Sequence, residues 1–400
     1  MLLPWFAIFY LDTTPQNGYH IFLFEDFIMN GWDSGFGWKK NWAESRQHFL
    51  DWWDHRGLVV CSWGAGVPAA TPHVPVGEAP QLLAASDAEK RRRSYEDYEW
   101  RAAYTHWRYA QTDFDLDILP IAGMDIGPGS LALALGSEPG FSPETVWFEP
   151  AWKDIADVRD IPPIRFNPKA HWWKIHEAQA RANARLAKGA YLPGLPDLVE
   201  NVDIVSALRD PQTLMMDMAE NPEWVEAAVM DVNRAWFEAF DRLYDISKGP
   251  DGGNTWCAFN IWGPGKTAKV QCDACAMFSP KMFDRFVVPA LTEQCEWLDY
   301  SMYHLDGTHC VCHLDSLLKI EALDAIEWTP ETPEPGWHER WFPLYKRILD
   351  AGKSLQIVGM TVDKIEPVLK AIGTQGVYLM TSLNTREDVE KAARILDRWR

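Results

Sequence analysis

The chain lacks a run of apolar residues long enough to cross a membrane. The best candidate, MLLPWFAIFYLDTTP at the start, has only eleven residues before Asp12, and a spanning helix needs roughly 20. The same stretch lacks the positive opening and small-residue cleavage site of a signal peptide. Residues 1–37 therefore read as an extension outside the main fold, or as the product of a mis-set translation start. Positive charge is also scarce: 38 Lys and Arg stand against 57 Asp and Glu, for a formal net charge of −19. An acidic surface repels phosphate backbones and argues against a nucleic-acid partner, while leaving room for a small anion in a local basic pocket. The one basic run, EKRRR at 89–93, reads as a solvated helix face. A secreted disulfide framework is a poor fit, because the cysteines number seven in a chain of 400 residues. Reduced thiols and a cytoplasmic location fit better. No GxGxxG opens a helix after a strand, and WGPGKTAK at 262–269 lacks the spacing of a phosphate-binding loop and reads as a turn. There is no internal repeat and no low-complexity segment.

What is present is a large apolar fraction, 47%, with 22 tryptophans. Such a chain can bury a sizeable core. Residues 40–57 have the spacing of an amphipathic helix, and the Pro- and Gly-rich stretch 66–82 reads as loop. From Asp113 onward, short β-rich runs alternate with amphipathic helical ones. Eight runs qualify as strands: DILPIA at 117, AYLPGLP at 190, TWCAFNIW at 255, KVQCDACA at 269, SMYHLDG at 301, DAIEWTPE at 324, SLQIVGM at 354 and GVYLMTS at 376. Helix starts are marked by Asn221-Pro222 and Ser279-Pro280, and by Asn384 with Glu387 as a capping box before the last helix. Eight strands with helical crossovers predict an α/β fold, a (β/α)8 TIM barrel with an N-terminal helical and loop extension. An open doubly wound sheet is the alternative. The predicted division is 1–37 as extension, 38–112 as a segment packing on the barrel, and 113–400 as the barrel.

In a barrel the chemistry sits at the C-terminal ends of the strands. Those positions here hold Asp117, Asp197, Trp262, Cys272 with Asp273, His304 with Asp306, Trp328 with Glu331, and Thr381-Ser382. Carboxylates gathered at one mouth repel unless protonated, hydrogen-bonded or bound to a cation. The stretch YHLDGTHCVCHLDSLL at 303–318 is the densest in metal-ligating side chains. His304 and Asp306 are two apart in a strand and so share a side. The competing readings are a core histidine satisfied by a carbonyl and a turn at Asp306-Gly307. His309, Cys310 and Cys312 fall in a loop without the spacing of a zinc knuckle, and His313 and Asp315 read as the first turn of a helix. Cys272 and Cys275 have CxxC spacing but would face opposite sides of a strand, so Cys272 reads as a small buried side chain and Asp273 as the better candidate.

Three segments carry a resemblance: DILPIAGMDIGPGSLALALGSEPGFSPETVWFEP, VQCDACAMFSPKMFDRFVVPALTEQCEWLDYSMYHLDG and HLDSLLKIEALDAIEWTPE. They resemble the uroporphyrinogen decarboxylase superfamily, above all the branch grouped with corrinoid-dependent methyltransferases, from about Asn41 to Arg400. The resemblance implies the (β/α)8 barrel and puts the decarboxylases' essential aspartate on Asp117. The arginines that grip an octacarboxylate in those enzymes have no counterpart here, which argues against tetrapyrrole decarboxylation. The methyltransferase branch implies zinc, held by His-x-Cys and a cysteine after the last strand. Here the first motif is His304-x-Asp306, and no cysteine stands near Thr381-Ser382. The expected metal ligands are therefore His304 and Asp306, with Cys272, Asp273 or Glu331 as third. The implied function is transfer of a methyl group from a small O- or N-methyl compound to a corrinoid on a partner protein. A homodimer is the expected assembly. In this reading His304, Asp306, Asp273 and Asp117 are catalytic, and Trp262, Trp328, Trp256, Asp197 and Glu331 bind substrate.

A second class fits the same residues. Asp117, Asp273, Asp306 and Glu331 could serve as paired carboxylates of a glycoside-processing enzyme, with Trp256, Trp262 and Trp328 as sugar platforms. A non-catalytic binding barrel is the third.

Overall fold

The computed structural model describes residues 36–64, 66–82, 87–143 and 145–400. The expected extension 1–37 lies almost wholly outside the described residues. Ten strands matter for the site: β1 (Leu58–Cys61), β2 (Ile121–Ala122), β3 (Leu192–Leu195), β4 (Asn254–Trp256), β5 (Ile261–Gly263), β6 (Thr267–Gln271), β7 (Tyr300–Asp306), β8 (Ala325–Thr329), β9 (Ser354–Met360) and β10 (Val377–Thr381). Six of them form one parallel sheet in the order β1-β10-β9-β8-β7-β6. The other four form a second sheet, β2-β3-β4-β5, parallel except for the β4–β5 pair.

Among the described residues the strand ladders do not close into a ring. The two gaps between the sheets are bridged by a few isolated hydrogen bonds instead. At one, the Asp117 amide donates to the Val60 carbonyl at 3.1 Å. At the other, the Asn254 side chain accepts from the Thr267 amide at 2.8 Å and donates to the Thr267 carbonyl at 3.0 Å. A side chain there replaces the backbone ladder that a continuous sheet would have.

Strand periodicity sorts the large sheet into two faces. Val270, Leu305, Ile326, Trp328, Leu355, Ile357 and Leu379 point one way and are fully buried. Each such side chain stabilises the fold by roughly 1.5–3 kcal/mol through burial. The residues between them point the other way and are polar. Register aligns them across the sheet: Gln271 lies beside His304, His304 beside Glu327, Glu327 beside Gln356, and Gln356 beside Tyr378. One level of the sheet is thus a row of hydrogen-bonding groups, and that row positions the site.

The sequence expectations meet this fold unevenly. The runs at 190, 301, 324, 354 and 376 are strands. The run at 117 yields only the two residues of β2, and that at 255 splits into β4, a 3-10 turn Ala258–Asn260, and β5. The run at 269 ends at Gln271 and continues as a 3-10 helix, Asp273–Met277. β1 was not expected. LVVC lies inside the segment 38–112, so that segment supplies a strand of the sheet as well as the packed helix Trp42–Trp53. Ser279 caps its helix by accepting from the Met282 amide, and Pro222 opens the helix Pro222–Ser247, where the Asn221 side chain makes no capping bond. The last capping box is Thr385 with Asp388, one position beyond the pair expected, because Thr385 takes the extended cap conformation. No helix among the described residues is long and apolar enough to cross a membrane.

Candidate active site

β6, β7 and the turn after β6 bring three ligand-bearing side chains together. One ligand atom each of Asp273, His304 and Asp306 lies within 4.8 Å of the other two. His304 Nε2 is 3.6 Å from Asp306 Oδ2, and its Nδ1 is bonded to Glu327 Oε2. Glu327 is fully buried, and its other oxygen accepts from Thr329 Oγ1 at 2.8 Å. A carboxylate on one ring nitrogen fixes the imidazole and leaves the other nitrogen to face the cluster. Histidine metal ligands are oriented in this way. Asp306 Oδ1 is buried and has no hydrogen-bond partner, an acceptor that a cation would satisfy.

The electrostatics follow from these contacts. Burial works against a charged His304, but Glu327 and Asp306 outweigh it and hold its pKa up at about 10. Asp273 is exposed at its outer side, but partial loss of water and the neighbouring Asp203 push its carboxyl up to about 7, against the opposing pull of His304 and Lys269. Burial also raises Glu327. Both acids are raised first by removal from water, and a cation at the cluster would favour the ionised form of each. A dication held by one nitrogen and two carboxylate oxygens fits that donor set, zinc or a harder ion alike.

Behind the cluster runs a buried polar network. Lys269 Nζ lies 2.7 and 2.9 Å from the two Asp197 oxygens and is also bonded to Gln271. Gln271 Nε2 donates to Asp273 Oδ2 at 2.8 Å. Asp203 accepts from the Asp273 and Ala274 amides at 2.7 and 2.9 Å, which fixes the turn carrying Asp273. Glu200, fully buried and raised well above its ordinary value by burial, accepts from the Gln271 amide. Asp125 accepts from the Asp197 amide at 2.6 Å.

A cavity of about 440 Å³ opens onto this network, lined by Asp125, Asp197, Lys269, Asp273 and His304 with Trp63 and Phe259. Phe259 packs its ring 4.7 Å from that of His304. Its backbone is left-handed, φ 62°, and Asn260 follows at φ 48°. Such conformations cost of order 1–3 kcal/mol each and persist only where the surroundings impose them. Here Gln356 donates to the Phe259 carbonyl at 2.8 Å, Tyr378 to the Asn260 carbonyl at 2.7 Å, and Asn260 Nδ2 to the Ser62 carbonyl at 3.0 Å. The polar row of the sheet thus holds Phe259 against His304.

The sequence expectations divide cleanly. His304, Asp306, Asp273 and Asp197 come together. Asp117 does not: it is fully buried, bonded to His48 Nδ1 and the Val60 amide at 2.8 Å each and paired with Arg400. Burial opposes its ionisation, but Arg400, His48 and the Val60 amide hold it down at about 2. Asp117 precedes β2, whereas the cavity lies beyond its other end, where Asp125 stands. Cys272 falls on the apolar side, next to Asp203 at 3.8 Å, and is not among the three clustered ligands. Glu331 is exposed beside Gly307, at the rim.

Trp256, Trp262 and Trp328 are all fully buried. Trp256 stacks on Phe240, Trp262 meets Trp42 edge-on, and Trp328 packs on Trp341. They cannot serve as sugar platforms, and the glycoside reading loses its aromatic support. For Trp328 the reason is parity: in AIEWT the cluster side belongs to Glu327 and Thr329. In the second half of the histidine- and cysteine-rich stretch Cys310 and His313 are buried, His309, Cys312 and Asp315 are exposed, and none of the five joins the cluster. His313 donates to the Cys275 carbonyl at 2.9 Å and stacks on Phe283, and Asp315 pairs with Arg347. Because 273–277 is a turn and not a strand, Cys275 folds back to Cys310, 3.5 Å away.

Sequence reasoning missed Glu327, Asp125, Asp203, Glu200, Trp63 and Phe259. Only Glu327 left a usable signal, an acid set between apolar residues of a buried strand.

The fold is similar to that of a methyltransferase from Methanosarcina mazei, with a TM-score of 0.55 and 12% identity over 88% of this chain and 98% of that one. A B12-independent methionine synthase from Shewanella sp. W3-18-1, solved in complex with selenomethionine, gives a TM-score of 0.43 and 9% identity over 86% of this chain and 98% of that one. No protein-family model and no curated protein matches the chain. The likeness to the methyltransferase is therefore one of fold.

Proposed function

We propose that the chain is a methyl-transfer enzyme built on a (β/α)8 barrel, with a divalent metal held by Asp273, His304 and Asp306. The observation that carries this reading is the convergence of those three side chains, with Glu327 fixing His304 from behind. The fold-level likeness to a methyltransferase supports it. The metal, zinc being the first candidate, would supply a Lewis acid that fixes and polarises an oxygen of the substrate.

The remaining roles belong to the chain itself. Glu327 holds the Nδ1 proton of His304, so that Nε2 faces the cluster. Asp203 anchors the turn bearing Asp273 through two amides. Gln271 and Lys269 tie Asp273 to Asp197, so the cavity floor is set before a substrate arrives. Phe259 and Trp63 present apolar surface on which a methyl group can lie while water is displaced. The acceptor in this reading is a corrinoid on a partner protein, reached through the open side of the cavity.

The test is a methyl-transfer assay with isotopically labelled small methyl donors and a cobalamin acceptor, followed by absorbance and label. Wild type should transfer label to cobalt, and Asp306→Ala should not. Equal rates for the two proteins would remove Asp306 from the mechanism. No transfer by either protein, with metal bound, would remove methyl transfer.

A further inference from the structure

We propose that the cavity beside His304 takes a cationic methyl donor, a small methylated ammonium compound carrying an oxygen function, with its nitrogen between Trp63 and Phe259 and facing Asp125 and Asp197. The inference deepens the methyl-transfer reading and rests on it for the fate of the methyl group.

The aromatic geometry comes first. Trp63, which lines the cavity, is 51% exposed. Its ring centroid lies 5.5 Å from that of Phe259, with the planes inclined at 58°. Two rings at that angle form an open corner, and ring faces attract ammonium groups, most strongly when methyl groups displace their water. Phe259 is fixed in its strained conformation by Gln356, Tyr378 and Asn260 and also touches His304. The corner therefore stands next to the cluster by construction.

The charges around the corner decide between ligand classes. The charged groups lining the cavity are Asp125, Asp197, Asp273, Lys269 and His304, and the Cys257 thiol lines it as well. Lys269 is engaged by both Asp197 oxygens and by Gln271. Arg101 stands behind Asp125 and donates to its backbone carbonyl at 3.0 Å. An anionic donor would have to separate Lys269 from Asp197 and would lie against Asp125. A neutral methyl ether would fit the aromatic corner but gain nothing from the Asp125 and Asp197 carboxylates beside it. A methylated ammonium satisfies both the rings and the acids. Its oxygen function would then face Asp273 and His304.

The chemistry balances without a proton donor. The carbon–nitrogen bond breaks with its electron pair remaining on nitrogen, and the amine leaves neutral. The acceptor, a reduced corrinoid in the reading above, supplies the pair for the new bond to the methyl carbon.

The test is calorimetric titration of the full chain, loaded with zinc, using choline and its shape-matched neutral analogue 3,3-dimethyl-1-butanol. Choline should bind more tightly than the analogue, by about 10-fold or more if ring and carboxylate contacts act together. Trp63→Leu should remove most of that preference and Trp63→Phe should retain it. Asp197→Asn should lower it with zinc content unchanged. Equal binding of the two compounds, no binding of choline, or an unchanged preference in Trp63→Leu would overturn the proposal. Methyl transfer from neutral ethers alone would overturn it and leave the methyl-transfer reading standing. Choline preference without any methyl transfer would do the reverse.

Discussion

The two faces of strands β7 and β8 are built from alternate residues of the same short segments, and they do different work. On one face His304, Asp306, Glu327 and Thr329 bind one another. On the other, Tyr303, Leu305, Ile326 and Trp328 are buried against the helical layer. A shift of one position exchanges a candidate ligand for a core residue. A strand in a sheet covered on both sides therefore has to be read as two sequences, one for packing and one for chemistry.

Substitutions can break that comparison, and the largest effect belongs to the ligand face. His304→Ala or Asp306→Ala should abolish metal binding and activity while leaving the fold in place, checked by metal content and thermal unfolding together. On the packing face, Trp328→Ala should cost about 3–5 kcal/mol of stability, as large-to-small changes of buried aromatics do. Its metal content, measured at a temperature where it remains folded, should equal that of wild type. A Trp328 variant that is stable but metal-free would place the site on the wrong face.

A middle effect is expected from the residue behind the ligand. Glu327→Gln keeps shape but loses the charge that orients His304. Metal affinity should fall by about 10–100-fold, the usual range for such supporting carboxylates. Competition with a chromophoric chelator would measure it, and an unchanged affinity would remove Glu327 from its positioning role.

The pH response of the metal-free protein sharpens the same point. His304 is raised from 6.5 to about 10 in the folded state. Its stabilising contribution is present in full below about pH 6.5 and is lost as pH rises through 10. Denaturation midpoints should therefore fall across that window, and His304→Ala should flatten the fall. Metal binding has to displace a proton from the same ring, so uptake should release protons and weaken as pH is lowered.

The smallest effect should come from the thiols. Cys312 is exposed and Cys310 sits against Cys275, and neither belongs to the ligand cluster. Cys310→Ser with Cys312→Ser should leave metal content unchanged.

Much of the architecture was legible in the sequence because parallel strands with helical crossovers leave a strong periodic pattern. β7 to β10 follow that pattern closely. β1 was hidden because LVVC is short and lies in a segment otherwise read as helix and loop. The run at 255 misled because the left-handed turn at Phe259 and Asn260 interrupts it; Asn260 is a type that tolerates such a turn, but Phe259 before it is not. At the site, His304 and Asp306 were legible from spacing alone. Glu327, Asp203 and Asp125 were not, since their roles arise from register and from contacts across dozens of residues. Asp117 was misplaced because a carboxylate at the start of a strand looks, in sequence, like one at its end.

The most direct test of the central claim is elemental analysis of the purified protein and of His304→Ala, with unfolding curves for both. The account predicts about one metal ion per wild-type chain, fewer in the variant, and a variant that still unfolds cooperatively. A wild-type protein that takes up no metal when zinc is supplied, or a variant that unfolds while retaining metal, would contradict it.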